Sequence, residues 1–195
     1  EHATDHLQHD APLTSDIRGM ATPVSQSFTV SPNAEGLAQT GLQALSDSQS
    51  YPGSISTFVV PADHAWTAIA PPITHLPGIT TARASDETIA AVAEQLRGAQ
   101  HSALFLGGRA LRAEALYQAG RIAAATGCRL VTETFFARQA RGIGRVVTER
   151  LAYFGEMAVE QLAGLDTLVL VGAKAPVSFF AYPDKPSVLT PAAAA

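Results

Sequence analysis

Short apolar runs alternate with stretches of helical spacing along the second half of the chain. The runs at 103–106 and 167–171 are apolar at almost every position, which is the pattern of strands covered on both faces of a parallel sheet. Between and around them the apolar residues recur with the period of amphipathic helices. This half is therefore predicted to contain a helix capped by Ser85, strands at 103–106, 129–133, 167–171 and near 187–189, and helices at 109–126 and 156–163.

Such alternation predicts the α/β class, with a Rossmann-like, doubly wound parallel sheet and helices on both faces. The first part of the chain carries a smaller unit of the same kind, with strands predicted at 24–30 and 55–60. Between them a helix is predicted to begin with Ser31 as its N-cap and Pro32 at its first position. We therefore expect a partial α/β piece before the main sheet.

A proline-rich stretch without any period separates the two units. Such composition is typical of a linker between domains. The sequence thus predicts one domain over 1–70, a linker over 71–84 and a second domain over 85–195.

Composition narrows the functional classes. The chain has 195 residues, 47% of them hydrophobic, and 13 basic against 17 acidic residues give a net charge of −4. Without a basic stripe, nucleic acid is an unexpected partner. No apolar segment approaches the roughly 20 residues of a membrane span, and the N-terminus lacks the pattern of a signal peptide, so we expect no membrane association and a cytoplasmic protein. The single cysteine, Cys128, is predicted to be buried.

The strand at 103–106 ends in two glycines, Gly107 and Gly108, followed by Arg109 at the start of a predicted helix. A glycine turn at a helix N-terminus can hold a phosphate on its backbone N–H groups. The dinucleotide fingerprint requires a third glycine, however, in the region where Leu111 and Arg112 stand. The commoner interpretation is a tight turn without a ligand, and a nucleotide crevice is the alternative.

The strand at 167–171 likewise ends in glycine, Gly172, with Lys174 two residues further on. Ligands of open α/β sheets bind beyond the carboxyl ends of the strands, so Lys174 is a candidate contact for an anion. A lone lysine is more often a solvated loop residue. Glu133, at the end of the next strand, could stand for a ribose-binding acid, although its spacing from Gly108 is longer than usual.

Three other groups of residues have a functional and a simpler structural interpretation. The first group, His2, His6 and His9, could bind a metal if helical, but a frayed terminus is the commoner outcome. The second group, Asp63, His64 and Trp66, follows a strand end, where turn structure suffices. The third group could form an anion-binding rim, although aromatic core residues flanked by solvated arginines are expected; it comprises Phe135 and Phe136 with Arg138, Arg141 and Arg145.

Four segments in this order resemble a known family: "DAPLTSDIRGMATPVSQSFTV", "STFVVPADHAW", "ALFLGGRALRAEALYQAGRIAAATGCRLVTETF" and "LVLVGAKAPVSFFAYPDKPS". Together they resemble the acetolactate synthase large-subunit family of thiamine-diphosphate enzymes, in the branch near benzoylformate decarboxylase. The resemblance extends over nearly the whole chain.

The resemblance implies a three-domain protein of which this chain is a fragment. Residues 1–70 match the C-terminal remnant of the pyrimidine-binding domain, and 85–195 match the central Rossmann-like domain, for which truncation at the C-terminus is the open alternative. The family decarboxylates and ligates 2-oxo acids with thiamine diphosphate and Mg²⁺. It needs a glutamate whose segment would precede residue 1 and a G-D-G motif that does not occur here. No catalytic or metal-binding residue is therefore expected in the fragment, which should be inactive without the missing N- and C-terminal domains. A homo-oligomer is expected.

Flavin is a further implied ligand, because acetolactate synthases proper hold FAD in the central domain. Residues 137–158 lack the methionine- and histidine-bearing glycine motif of that branch, which makes FAD doubtful and favours a decarboxylase without flavin. A nucleotide-binding module remains the alternative. In either case the candidate cofactor-binding residues, a vestigial nucleotide crevice, are Gly107, Gly108, Arg109, Gly172 and Lys174.

Overall fold

The computed structural model describes residues 1–50, 53–71, 75 and 83–194. The chain divides into two compact units, residues 1–83 and 84–195. The predicted linker over 71–84 lies mostly outside the described residues, and the predicted domain boundaries stay predictions. No helix in the described part of the chain is both long and apolar enough to cross a membrane.

The first unit contains a two-stranded parallel sheet with a helix between the strands. Phe28 lies opposite Thr57 and Val30 opposite Val59, as the predicted strand, helix and strand require. Ser27 and Ser56 also meet through their hydroxyl groups. The helices of this unit are α1 (Ile17–Ala21), α2 (Leu37–Gln49) and α3 (Ala62–Trp66), and its strands are β1 (Ser27–Val30) and β2 (Ser56–Val59).

Helix α2 begins later than predicted, and Ser31 is not its N-cap. The Ser31 N–H donates to the Val59 carbonyl at 2.9 Å, so the residue extends the pairing of β1 with β2. Its hydroxyl donates to the Asn33 carbonyl, and the Asn33 side chain accepts from the Gly36 N–H at 2.7 Å. Ser31 therefore extends the end of β1, and a turn stabilised by the Asn33 side chain precedes α2.

The second unit is a four-stranded parallel sheet in the order β5-β4-β3-β6. Leu104 of the central strand lies opposite Leu130 on one side and Val169 on the other. This confirms the predicted α/β class with a parallel sheet. The strands are β3 (Ser102–Leu106), β4 (Arg129–Thr132), β5 (Glu149–Arg150) and β6 (Thr167–Val171), and the helices are α4 (Asp86–Gly98), α5 (Ala113–Thr126) and α6 (Gly155–Leu162).

The central strand β3 is buried at all five positions because helices cover both faces of the sheet. Phe105 packs with Leu162 of α6 on one face. Leu104 and Leu106 pack with Leu96 of α4 and Leu116 of α5 on the other. This is the doubly wound arrangement that its continuous apolar run predicts.

Two local predictions are confirmed. The Ser85 hydroxyl accepts from the Thr88 N–H at 3.2 Å and so caps α4. Such a cap satisfies one of the N–H groups that a helix start leaves unpaired. Cys128 is buried within the cluster that contains Leu104.

Two other predictions are wrong. The predicted strand near 187–189 does not join the parallel sheet, because Val188 forms a single antiparallel bridge with Val177. Prolines on either side of it, Pro186 and Pro191, lack the N–H that a longer ladder needs. The predicted helix 109–126 is divided, since a 3₁₀ turn at Gly108–Leu111 precedes α5.

Candidate functional site

The carboxyl ends of β3 and β6 meet at glycines. The Gly107 N–H donates to the Val171 carbonyl at 3.0 Å, which continues the pairing of the two strands. A Cβ atom on Gly107 would lie 2.7 Å from the Gly172 carbonyl oxygen. Gly108 and Gly172 adopt positive φ angles of 49° and 66°. The glycines therefore allow two backbones to approach more closely than side chains permit.

Glu133 fills the space above this turn. It follows β4, and its carboxylate oxygen Oε2 lies 2.5 Å from the position that a Gly107 Cβ would take. Burial raises the pKa of Glu133, and a hydrogen bond from the Gly108 N–H partly offsets the rise. A carboxylate thus occupies the place where a bound phosphate would accept from the turn. Its charge opposes the binding of a diphosphate there.

A cavity of about 370 Å³ opens beside this turn, at the carboxyl ends of β3 and β4 and the loop after β6. Apolar side chains line part of it, three aromatic rings form one wall, and one acid and one base supply its charged groups. Phe105, Leu151 and Leu189 are among the apolar lining residues, Phe135, Tyr153 and Phe179 are the aromatic wall, and Glu133 and Lys174 are the charged ones.

The aromatic wall consists of three rings in mutual contact. The Phe135 and Tyr153 centroids lie 5.7 Å apart, and Phe179 lies 5.5 Å and 5.1 Å from them. These distances are in the favourable range for aromatic pairs. Phe135 is 65% exposed and Phe179 58%, so the wall faces solvent. The prediction that Phe135 is a core residue is wrong, whereas Phe136 packs against the core, with the Arg150 guanidinium over its ring.

The structure brings most of the predicted crevice residues together. Gly107, Gly108 and Gly172 meet at one point, and Lys174 lines the adjoining cavity. Arg109 is exposed in the 3₁₀ turn and is not a lining residue of the cavity. A role for these residues in binding stays a prediction.

Sequence reasoning missed Tyr153 and Phe179. Both belong to short aromatic pairs, "YF" at 153–154 and "FF" at 179–180, and both pairs lie in loops that follow strands. That placement is a signal for a site, because parallel strands present their following loops at one edge of the sheet.

The N-terminal candidates form contacts of another kind. Leu7–His9 is a 3₁₀ turn, and the His2, His6 and His9 rings pack in series at 5.4 and 5.7 Å. Within the described ranges no group of three or more potential ligand side chains could hold a metal ion.

Asp63 anchors the terminus that was expected to fray. Its carboxylate accepts from the Thr4 N–H at 3.0 Å and from the Thr4 hydroxyl. The hydroxyl bond is the main reason why the pKa of Asp63 is lowered. His64 and Trp66 lie with Asp63 in the short helix α3. The helix ends at Thr67, whose backbone N–H donates to the Asp63 carbonyl.

No protein-family model matches the sequence. A Mycobacterium tuberculosis (strain ATCC 25618 / H37Rv) protein, provisionally named acetolactate synthase large subunit IlvX, is 42% identical over 193 residues. The chain is thus similar to one part of an acetolactate synthase large-subunit protein. The matched region is 98% of this chain and 37% of the IlvX protein, so the chain spans about a third of that relative.

Solved thiamine-diphosphate enzymes share the fold. A protein from Mycobacterium smegmatis is provisionally described as a thiamin diphosphate-dependent enzyme. The match covers all of this chain and 37% of the Mycobacterium smegmatis protein, with a TM-score of 0.78 and 22% sequence identity. The Rhodococcus jostii RHA1 thiamine diphosphate-dependent 4-hydroxybenzoylformate decarboxylase matches over 37% of its chain, with a TM-score of 0.74 and 19% sequence identity. Benzoylformate decarboxylase from Polynucleobacter necessarius matches over 36% of its chain, with a TM-score of 0.75 and 17% sequence identity. The TM-scores show a shared fold, and the similarity in sequence to an acetolactate synthase large subunit is that of the IlvX match.

We expect Gly107→Ala to lower the free energy of unfolding by about 1–3 kcal/mol, since the new methyl group would meet the Gly172 backbone. Urea unfolding followed by circular dichroism measures the change. Gly98→Ala is the matched control, because its added Cβ would meet nothing within 4 Å besides its chain neighbours and the backbone of its own helix, and it should be neutral or stabilising. Equal stability of the two variants would contradict the close approach at Gly107.

Glu133→Gln should be more stable than the wild type near neutral pH. Because burial raises the pKa of Glu133, the folded chain binds its proton more tightly than the unfolded chain. The stabilisation that this proton contributes is complete below the pKa of Glu133 in the unfolded chain, and it is lost as pH rises through the pKa of Glu133 in the folded chain. We expect a gain of about a few tenths of a kcal/mol at neutral pH, since solvent screens a partly exposed group, and a smaller gain in acid.

Glu149→Gln is the control of opposite sign. A hydrogen bond from Arg129, 3.0 Å from Nε to Oε1, lowers the pKa of Glu149. Its stabilisation is present above the unfolded pKa and is lost as pH falls through the folded pKa, so this variant should be less stable at neutral pH. Thermal unfolding over a series of pH values gives both comparisons. If both variants changed the stability in the same direction at neutral pH, the burial of Glu133 would be contradicted.

Proposed function

We propose that this chain is the central, structural part of a thiamine-diphosphate-dependent, acetolactate synthase-like enzyme. The whole protein would act on 2-oxo acids by decarboxylation and carboligation, and the chain alone would be inactive. The observation that carries the proposal is the 42% identity to the IlvX protein over nearly all of this chain and 37% of that protein.

Thiamine diphosphate, with Mg²⁺ on its diphosphate, is the cofactor that we propose for the whole protein. The cavity beside Gly107 does not fit that group. Its carboxylate, Glu133, already accepts from the turn N–H that would serve a phosphate, and Lys174 is the single cationic residue that lines it. Magnesium also prefers a set of oxygen ligands together with phosphates. We assign no step of the reaction to residues of this chain.

Flavin is disfavoured by the same carboxylate. A dinucleotide diphosphate at the Gly107–Gly108 turn would be placed against Glu133, and like charges at close range repel strongly where solvent is partly excluded. We therefore propose the decarboxylase-like branch without FAD. One structural neighbour is named a benzoylformate decarboxylase and another a 4-hydroxybenzoylformate decarboxylase, which is in keeping with this branch.

Self-association and contact with further domains complete the proposal. In the described part of the first unit, β1 pairs with β2 and neither outer edge pairs with another strand. Val30 and Ile55, at the two strands, are 43% and 60% exposed. Open parallel edges with apolar residues are surfaces that other chains or domains cover. A cytoplasmic location stays a prediction.

The purified 195-residue chain, given thiamine diphosphate, Mg²⁺ and pyruvate, should release no carbon dioxide above background. The physical reason is that the cavity of the chain does not fit the diphosphate, because the Glu133 carboxylate already accepts from the turn N–H that would serve a phosphate. A coupled assay for carbon dioxide and a colour assay for acetolactate measure the two products. An active acetolactate synthase in the same buffer is the positive control, and turnover by the isolated chain would refute the proposed structural role.

Light scattering after size exclusion should report a dimer or larger species whose share grows with protein concentration. Lysine at both exposed apolar positions, Val30→Lys with Ile55→Lys, should shift the population toward monomer by placing charges on the apolar surface beside the two strands. Val147→Lys, at a position 89% exposed in the second unit, is the control and should change nothing. A wild-type chain that stays monomeric at every concentration contradicts self-association.

A further inference from the structure

Two opposite charges line the cavity at the carboxyl ends of the strands without pairing with each other. Lys174 makes no ion pair within the described residues, and the Glu133 side chain accepts a hydrogen bond from the Gly108 N–H. Elsewhere in the same unit Lys185 pairs with Glu156 at 3.3 Å. A lysine and a glutamate thus line one cavity, and both side chains have capacity for further hydrogen-bond partners.

The third feature of the cavity is the aromatic wall. Phe135, Tyr153 and Phe179 contact one another by their edges and faces, while Phe135 and Phe179 remain more than half exposed. An apolar or aromatic group placed against these rings would be removed from water together with them. The wall therefore selects the side chain of a ligand, and the two charges select its polar end.

Size and charge exclude several ligand classes. The volume of about 370 Å³ is at the small end of the roughly 300–1,000 Å³ typical of ligand pockets. Glu133 opposes polyanions, since its carboxylate lies at the glycine turn that would receive them. Lys174 opposes simple cations. A small zwitterion satisfies both groups, because its ammonium can donate to Glu133 while its carboxylate accepts from Lys174.

We propose that this cavity binds an α-amino acid with an aromatic or large apolar side chain. The amino group pairs with Glu133, the carboxylate with Lys174, and the side chain packs against the wall formed by Phe135, Tyr153 and Phe179. The site lies within one unit of this chain and requires no thiamine diphosphate. Its presence or absence is therefore independent of the function proposed for the whole protein.

Isothermal titration calorimetry with the 195-residue chain tests the site with L-phenylalanine as the probe. Two analogues test the zwitterion on the wild-type protein: 3-phenylpropionate lacks the amino group, and 2-phenylethylamine lacks the carboxylate. We expect phenylalanine to bind and each analogue to bind at least about tenfold more weakly, since each leaves one charge of the cavity without its partner. An analogue that binds as tightly as phenylalanine overturns the proposal.

Charge-removing variants test the assigned residues. Glu133→Gln and Lys174→Met should each weaken phenylalanine binding by about tenfold or more. Glu156→Gln and Lys185→Met remove the same two charges from a pair in the same unit that does not line this cavity, and they should bind like the wild type. Circular dichroism checks the fold of each variant.

The pattern across the four variants separates a specific site from a general effect of charge. Loss of binding in the Glu133 and Lys174 variants alone supports the site. No heat with phenylalanine, equal binding by all four variants, or equal loss in the control pair overturns it. If a cavity variant does not fold, the two analogues still test the zwitterion, because they change the ligand and leave the protein intact. Failure to bind phenylalanine leaves the turnover assay on pyruvate unaffected.

Discussion

The second unit depends on the pairing of β3 with a parallel strand on each side. Hydrogen bonds to β4 and β6 use both edges of β3, and helices cover both of its faces, so every residue of the strand is buried. A strand in that position is apolar at most of its residues, because its side chains do not reach water, and the buried Ser102 at its start is the polar exception. The same pairing brings three carboxyl ends to one edge of the sheet, and the candidate site lies there.

Close approach at that edge determines what the site can hold. Gly107 and Gly172 let two backbones meet, and the space that a side chain would otherwise take is given to the Glu133 carboxylate. An internal anion at a glycine turn stands where nucleotide-binding sheets place a phosphate. The parallel α/β fold therefore does not by itself assign a ligand to this edge of the sheet.

The first unit is built differently from the second. Its two strands pair only with each other in the described residues, and large apolar side chains such as Val30 and Ile55 remain exposed. A two-stranded sheet buries little apolar surface and depends on packing against other elements for its stability. That condition agrees with a chain that spans about a third of the IlvX protein, where the remaining length can supply such elements.

The sequence by itself determined the order and type of most elements, the Ser85 cap and the glycine-ended strands, because these follow from local periodicity and backbone chemistry. It misplaced Ser31, whose N–H is used by a strand more distant in sequence. Only the tertiary structure decided that Glu133 fills the turn at Gly107 and that Phe135, Tyr153 and Phe179 form one wall. Contacts between residues so far apart along the chain depend on strand order, which no local pattern encodes.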